Sequence, residues 1–240
     1  MQPSSAPDED VAFIRHALDA GIEQLVAYFD DDGLARAARD ADVTVEVHAT
    51  PNDRAGPNLA TIRSGTIDGT MDTFFARLHF YAPSAHGPGL TTSSGEPKDG
   101  GYIERLVVHE YSTVFLGLAS RRKPEGWRLR TAPAWFVQGY QEYLGLTHSG
   151  ETGRTRSLPR YVEIVKNDPD RVRNDFGFEV RDPYITGAVL LHFMHERFGA
   201  DRVRAVLLGA QPTFGRAMRE ELGVDADAFL ADWIVWLEGA

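Results

Sequence analysis

Two side chains stand out for their surroundings. In the stretch Leu106-Val107-Val108-His109-Glu110-Tyr111-Ser112-Thr113-Val114-Phe115-Leu116-Gly117-Leu118-Ala119, apolar residues cover almost every side of a helix, and His109 and Glu110 sit at its centre. A helix that is apolar all round is a buried helix. Burying a charged carboxylate is costly unless it is paired or lines a cavity. Two readings of this helix stand side by side: a core histidine next to a glutamate paired with Lys or Arg, or a functional imidazole–carboxylate pair. A second segment, TAPAWFVQGYQEYLG at 131–145, adds Gln138 and Glu142, which are four residues apart and share a helix face. Glu142 either orients a neighbour or is a surface charge, and Trp135 and Tyr143 read as core.

The elements that would position these groups follow from periodicity. Ile14, Leu18, Ile22, Leu25 and Phe29 recur at helical spacing over 8–30, behind acidic residues that suit a helix start. The run DDDG at 30–33 interrupts this helix before a short Ala-rich helical piece. Val43, Val45 and Val47 alternate with Thr44, Glu46 and His48, the period of a strand. A second alternating stretch runs from Phe74 to Ala82, and the segment Ser64–Thr70 reads as a turn between strands. The segment 83–101, PSAHGPGLTTSSGEPKDGG, is a long loop directly before the helix of His109, and loops of that length are usually functional or disordered. Helical patterns cover 102–119 and 133–146, with a basic turn at Arg121–Lys123 and a short WRLR stretch between them. Residues 147–182 read as polar and irregular, with one helical turn around Tyr161–Val165. Four helices follow at 183–198, 201–209, 213–222 and 226–238, with Thr213 and Asp225 as N-caps and Gly199, Gly209 and Gly223 as stops. Helix, then sheet, then helices is an α+β layout.

Composition narrows the function classes. The chain has 240 residues, enough for one large domain or two intimate lobes, and a net charge of −10. The acidic balance disfavours a nucleic-acid partner, which needs a basic face. The absence of cysteine excludes disulfides, thiolate zinc sites, iron–sulfur clusters and thiol nucleophiles. No apolar run approaches the length of a membrane span, so no membrane partner is expected. The start, MQPSSAPDED, carries no basic-then-apolar leader, which points to the cytoplasm, or to secretion if a leader has been removed. No internal repeat, phosphate-cradling glycine motif or Ser–His–Asp order stands out.

The two central helices, HEYST and WFVQGYQEY, resemble those of the gluzincin-type zinc metallopeptidases, especially bacterial peptidase MA-like domains, where the corresponding motifs read H-E-x-x-H and approximately W-[LF]-x-E-G-x-A-x-Y. The similarity is strongest over 102–146 and 183–238 and extends over nearly the whole chain. It implies a zincin-like fold with an N-terminal lobe of helix, small mixed sheet and active-site helix at 1–120, and a helical C-terminal lobe at 121–240. In that family two histidines at i and i+4 and a glutamate from the second helix hold zinc, while the glutamate after the first histidine acts as general base on the metal-bound water. Mapped onto this chain, the first ligand is His109 and the base Glu110, but the second ligand position is Thr113 and the third is Gln138. One imidazole does not hold a catalytic zinc, which needs about three protein ligands.

The two replacements are coherent, since Gln138 keeps the shape of Glu without its charge and Thr113 is small and hydrogen-bonding. The resemblance therefore implies a remade site with no metal and no cofactor. Its cleft would take a small-molecule or peptide-like ligand bound by Thr113, Gln138 and Glu142. His109, Glu110 and Tyr184 would carry general acid–base chemistry. Without a cation the Glu110 pKa is expected to rise toward neutrality. Tyr184, placed where relatives often carry a tyrosine, would donate to an oxyanion or else be the buried start of a helix. The 83–101 loop would be a lid or a plain connection. Two alternatives remain: a non-catalytic pseudopeptidase that binds or regulates through the same groove, and an active zinc hydrolase with unusual ligands. Rescue of metal binding would fall to His192 and His195, read instead as a surface and core pair, or to His48, His79 and His86 in the sheet and loop region.

Overall fold

The computed structural model describes residues 6–49, 60–66, 74–85, 91, 97–121, 132–151, 153–168, 172–173 and 179–239. The chain divides into two compact units, Met1–Leu118 with Leu144–Arg154, and Ala119–Tyr143 with Thr155–Ala240.

In the first unit, α1 (Asp8–Phe29) opens with Asp8, Glu9 and Asp10, whose charges suit the positive end of the helix dipole. Its buried stripe is Ile14, Ala17, Gly21, Leu25 and Phe29. Asp10 is itself buried and accepts hydrogen bonds from the Ser84 backbone N–H and hydroxyl. The helix ends at Asp30 in the left-handed region (φ 47°), and Asp31 then caps α2 (Asp32–Asp40) by accepting from the Leu34 N–H at 2.7 Å. Three strands follow: β1 (Asp42–His48), β2 (Ala60–Thr66) and β3 (Phe74–Tyr81). They form a mixed sheet of order β1-β3-β2, with β1 parallel and β2 antiparallel to β3. Val45 and Val47 of β1, and Ala76, Leu78 and Phe80 of β3, turn inward at every second position.

Strand β2 corrects the expected turn at Ser64–Thr70, since Ser64–Thr66 pairs with Phe74–Ala76. Its sequence, ATIRSGT, has too little apolar alternation to announce a strand, and the ladder to β3 supplies what local pattern does not. Residues 67–70 lie outside the described residues. In the 83–101 loop, Pro83–Ala85 form a 3-10 turn and Thr91 bridges Pro97, whereas 86–90 (with His86) and 92–96 are outside the described residues. The loop ends early, because α3 (Gly100–Arg121) starts at Gly100 and Asp99 accepts a hydrogen bond from the Tyr102 N–H. Phe29 of α1 stacks on Phe115 of α3 at 5.1 Å. Residues 122–131, with the WRLR stretch, are outside the described residues.

The second unit is almost wholly helical. It contains α4 (Ala134–His148) up to Tyr143, α5 (Leu158–Lys166), the two-residue strands β4 (Val172–Arg173) and β5 (Glu179–Val180), α6 (Ile185–Phe198), α7 (Ala200–Leu208), α8 (Phe214–Ala217) and α9 (Ala226–Gly239). Helices α4 and α6 meet backbone to backbone at two glycines: a Cβ on Gly139 would stand 2.6 Å from the Gly187 carbonyl oxygen, and one on Gly187 would stand 2.8 Å from the Gly139 Cα. Around this crossing the rings of Trp135, Phe136, Phe193, Phe214 and Phe229 pack edge-on, tilted or stacked. Thr213 accepts from the Arg216 N–H and Asp225 from the Ala228 N–H, the two N-caps expected, and Gly199 and Gly223 take positive φ at helix ends. Within 147–182 the structure is more regular than expected, with a π-helical turn at Gly153–Ser157 leading into α5. That helix buries Leu158, Tyr161 and Val165, a stripe too short to stand out among polar neighbours. The arrangement as a whole is α+β.

Candidate functional site

Helix α3 carries His109, Glu110 and Thr113 in its unbroken middle, and α4 carries Gln138 and Glu142. His109 and Thr113, four residues apart, share a face, and Glu110 lies about 100° round from His109. His109 is buried, while Glu110 and Thr113 are half-buried. Ser112, fully buried in the same turn, satisfies its hydroxyl by donating to the His109 carbonyl at 2.6 Å. Two residues along from His109, burial pushes the Tyr111 phenol up to about 12. Gly145, in the last turns of α4, lies close against the turn of α3 that carries His109. A Cβ there would fall 2.9 Å from the Arg105 carbonyl oxygen and 3.2 Å from the His109 Cβ, so a larger residue would press directly on the turn that carries the imidazole.

The expected site residues fall on both units: His109, Glu110 and Thr113 on the first, Gln138, Glu142 and Tyr184 on the second. Gln138 is half-buried. Glu142 is buried and accepts a 2.9 Å hydrogen bond from the Tyr161 hydroxyl, also buried, so it is no helix-surface charge. Tyr184 corrects the alternative of a buried helix start, for it precedes α6 with 46% of its surface exposed. Trp135 and Tyr143 are in the core, as their types suggest. His192 and His195 are not a surface and core pair, since both are half-buried and both stack on Tyr143, with ring centroids 6.4 and 4.3 Å away. His195 Nδ1 lies 2.7 Å from the Leu191 carbonyl oxygen and donates to it, and His192 Nε2 is 3.4 Å from Glu196.

Among the described residues, one set of three metal-donor side chains converges within 4.8 Å, and it is Glu46, His48 and His79 on the sheet. Neither His109 nor Glu110 belongs to it. His48 and His79 are among the histidines that the sequence offers for metal binding, whereas Glu46 is not singled out there as a ligand. The available signal was the alternation in VTVEVH, which puts Glu46 and His48 on one strand face, but the partner strand and its register could not be read from it. Comparison of the chain with protein-family models, curated proteins and solved structures finds no match.

Proposed function

We propose that this chain is a metallopeptidase-like protein of zincin-like fold that has given up the helix-borne zinc and works through the His109–Glu110 pair by general acid–base catalysis on a small-molecule or peptide-like ligand. The observation that carries the reading is the middle of α3. In one continuous helix the position that shares a face with His109, four residues on, holds the hydroxyl of Thr113 where zinc would need a second imidazole. The half-buried Glu110 beside it is a proton acceptor of the right type. The residues that the resemblance maps to the second and third ligand positions, Thr113 and Gln138, are both neutral. The second reading, a non-catalytic pseudopeptidase, is favoured by the burial of His109, which packing alone would explain.

A panel of chromogenic peptide amides and small esters, assayed with and without EDTA, tests the proposal. Turnover that persists in EDTA and falls by at least about 100-fold in Glu110→Gln supports it. Turnover that stops in EDTA, returns with zinc and requires His109 overturns it. A panel that binds without turnover, in wild type and Glu110→Gln alike, favours the pseudopeptidase.

A further inference from the structure

The face of the sheet opposite the buried Val45 and Val47 carries a second constellation, independent of the α3 reading. Strands β1 and β3 run parallel in a register that sets Glu46 directly opposite His79, and His48 follows Glu46 by two residues on the same face. The inward neighbours, Val45, Val47, Leu78 and Phe80, are anchored in the core, so the strand backbones that bear the three donors are firmly held. His48 Nε2 lies 3.1 Å from His79 Nδ1, His79 Nδ1 lies 3.4 Å from Glu46 Oε2, and His48 Nε2 lies 3.7 Å from the same oxygen. Each residue thus offers one lone-pair atom to a common centre. The side chains are 15%, 20% and 13% exposed for His48, Glu46 and His79, enclosed yet still reached by solvent.

We propose that Glu46, His48 and His79 form a zinc-binding site. The triangle of donor atoms, with edges of 3.1, 3.4 and 3.7 Å, has a circumscribed radius of about 2.0 Å, so a point about 2.1 Å from all three exists just above its plane. Tetrahedral zinc with ligands at about 2.0–2.1 Å spaces its donors about 3.3–3.4 Å apart, close to the mean of these edges, whereas an octahedral face at that bond length would draw them to about 3.0 Å. Two imidazole nitrogens and a carboxylate oxygen suit zinc's borderline character, and three protein donors leave the fourth position to solvent. The expectation of no metal came from two helices, and these donors lie on neither.

The test is zinc binding by full-length protein stripped with chelator, titrated with zinc alone against a chromophoric competitor. The expected result is one zinc per chain, a binding constant weakened at least about tenfold in each of Glu46→Gln, His48→Asn and His79→Asn, and no change in His109→Asn. The variants' metal-free unfolding midpoints establish that they fold. Should one fail to fold, Glu46→Asp, which withdraws the carboxylate by one methylene, takes its place and is expected to weaken zinc as well. Cobalt in place of zinc is expected to give the intense visible bands of a tetrahedral site. Absence of saturable binding, binding undiminished in all three sheet variants, or zinc lost only in His109→Asn overturns the proposal. The last outcome would also overturn the metal-free reading of α3, whereas the first leaves that reading standing, so the two proposals fail separately.

Discussion

The close approach of α4 and α6 at Gly139 and Gly187 offers a sharp test of the packing. Replacing Gly139 with Ala in α4 would place a methyl 2.5 Å from the Gly187 Cα and 2.6 Å from its carbonyl oxygen in α6. Carbon atoms sit comfortably at about 3.5–4.0 Å, so the shortfall is about 1 Å. Both partners of the clash are helix backbone, which has no rotamer to change, and relief requires the helices to separate by about that distance. Such a shift would also loosen the aromatic contacts of Trp135 with Phe214 and Phe229. Overpacking of this kind costs about 1–3 kcal/mol, and rigid partners put this case at the upper end. Against it stands about 1 kcal/mol gained from the better helix propensity of alanine. The expected net loss is about 2 kcal/mol. Urea unfolding followed by the fluorescence of the buried Trp135 and Trp233 measures it as a lowered midpoint at unchanged slope. Gly215→Ala is the control, since a Cβ there meets nothing within 4 Å, and it should leave the midpoint unchanged or slightly raised. A Gly139→Ala midpoint equal to or above that of wild type would refute the close crossing of α4 and α6.

Other expectations concern single buried groups. Tyr161→Phe removes the donor to the buried Glu142 while keeping the ring, and should cost about 1–3 kcal/mol in the same unfolding assay; an unchanged midpoint would show that the bond contributes nothing net. His148 has its pKa lowered to about 4, first by burial and then by the charge of Arg154, and its ring meets Tyr28 edge-on at 4.8 Å. The unfolded chain therefore takes up this proton before the folded one. Its contribution is complete above about pH 6.5 and is lost as pH falls toward 4, by up to roughly 3 kcal/mol. The difference between wild-type and His148→Gln stability, measured from pH 7.5 to 4, should show that slope, and parallel curves would contradict it.

No helix among the described residues is long and apolar enough to cross a membrane, in keeping with the absence of long apolar runs in the sequence. Helices were readable because their evidence is local. The stripe Ile14, Leu25 and Phe29, the caps Thr213 and Asp225 and the stops at Gly199 and Gly223 each act within a turn or two of their own position. The α3 pair was visible for the same reason, as two polar residues in an apolar run. Strand β2 and helix α5 were less legible, because one depends on a partner strand and the other on a three-residue buried stripe.

By itself, then, the amino-acid order determined the α+β layout, the helix of His109 and Glu110, and the alternation that puts Glu46 and His48 on a single face of β1. Only the tertiary structure decided that His79 stands opposite Glu46, that Tyr161 reaches Glu142 and that Gly139 meets Gly187. Periodicity constrains which way a side chain points from its own element. It carries no information about which element comes alongside or in what register, because that choice is made by burial and backbone pairing summed over residues far apart in the chain. The helix-borne pair belongs to the first kind of information, and the three donors on the sheet belong to the second.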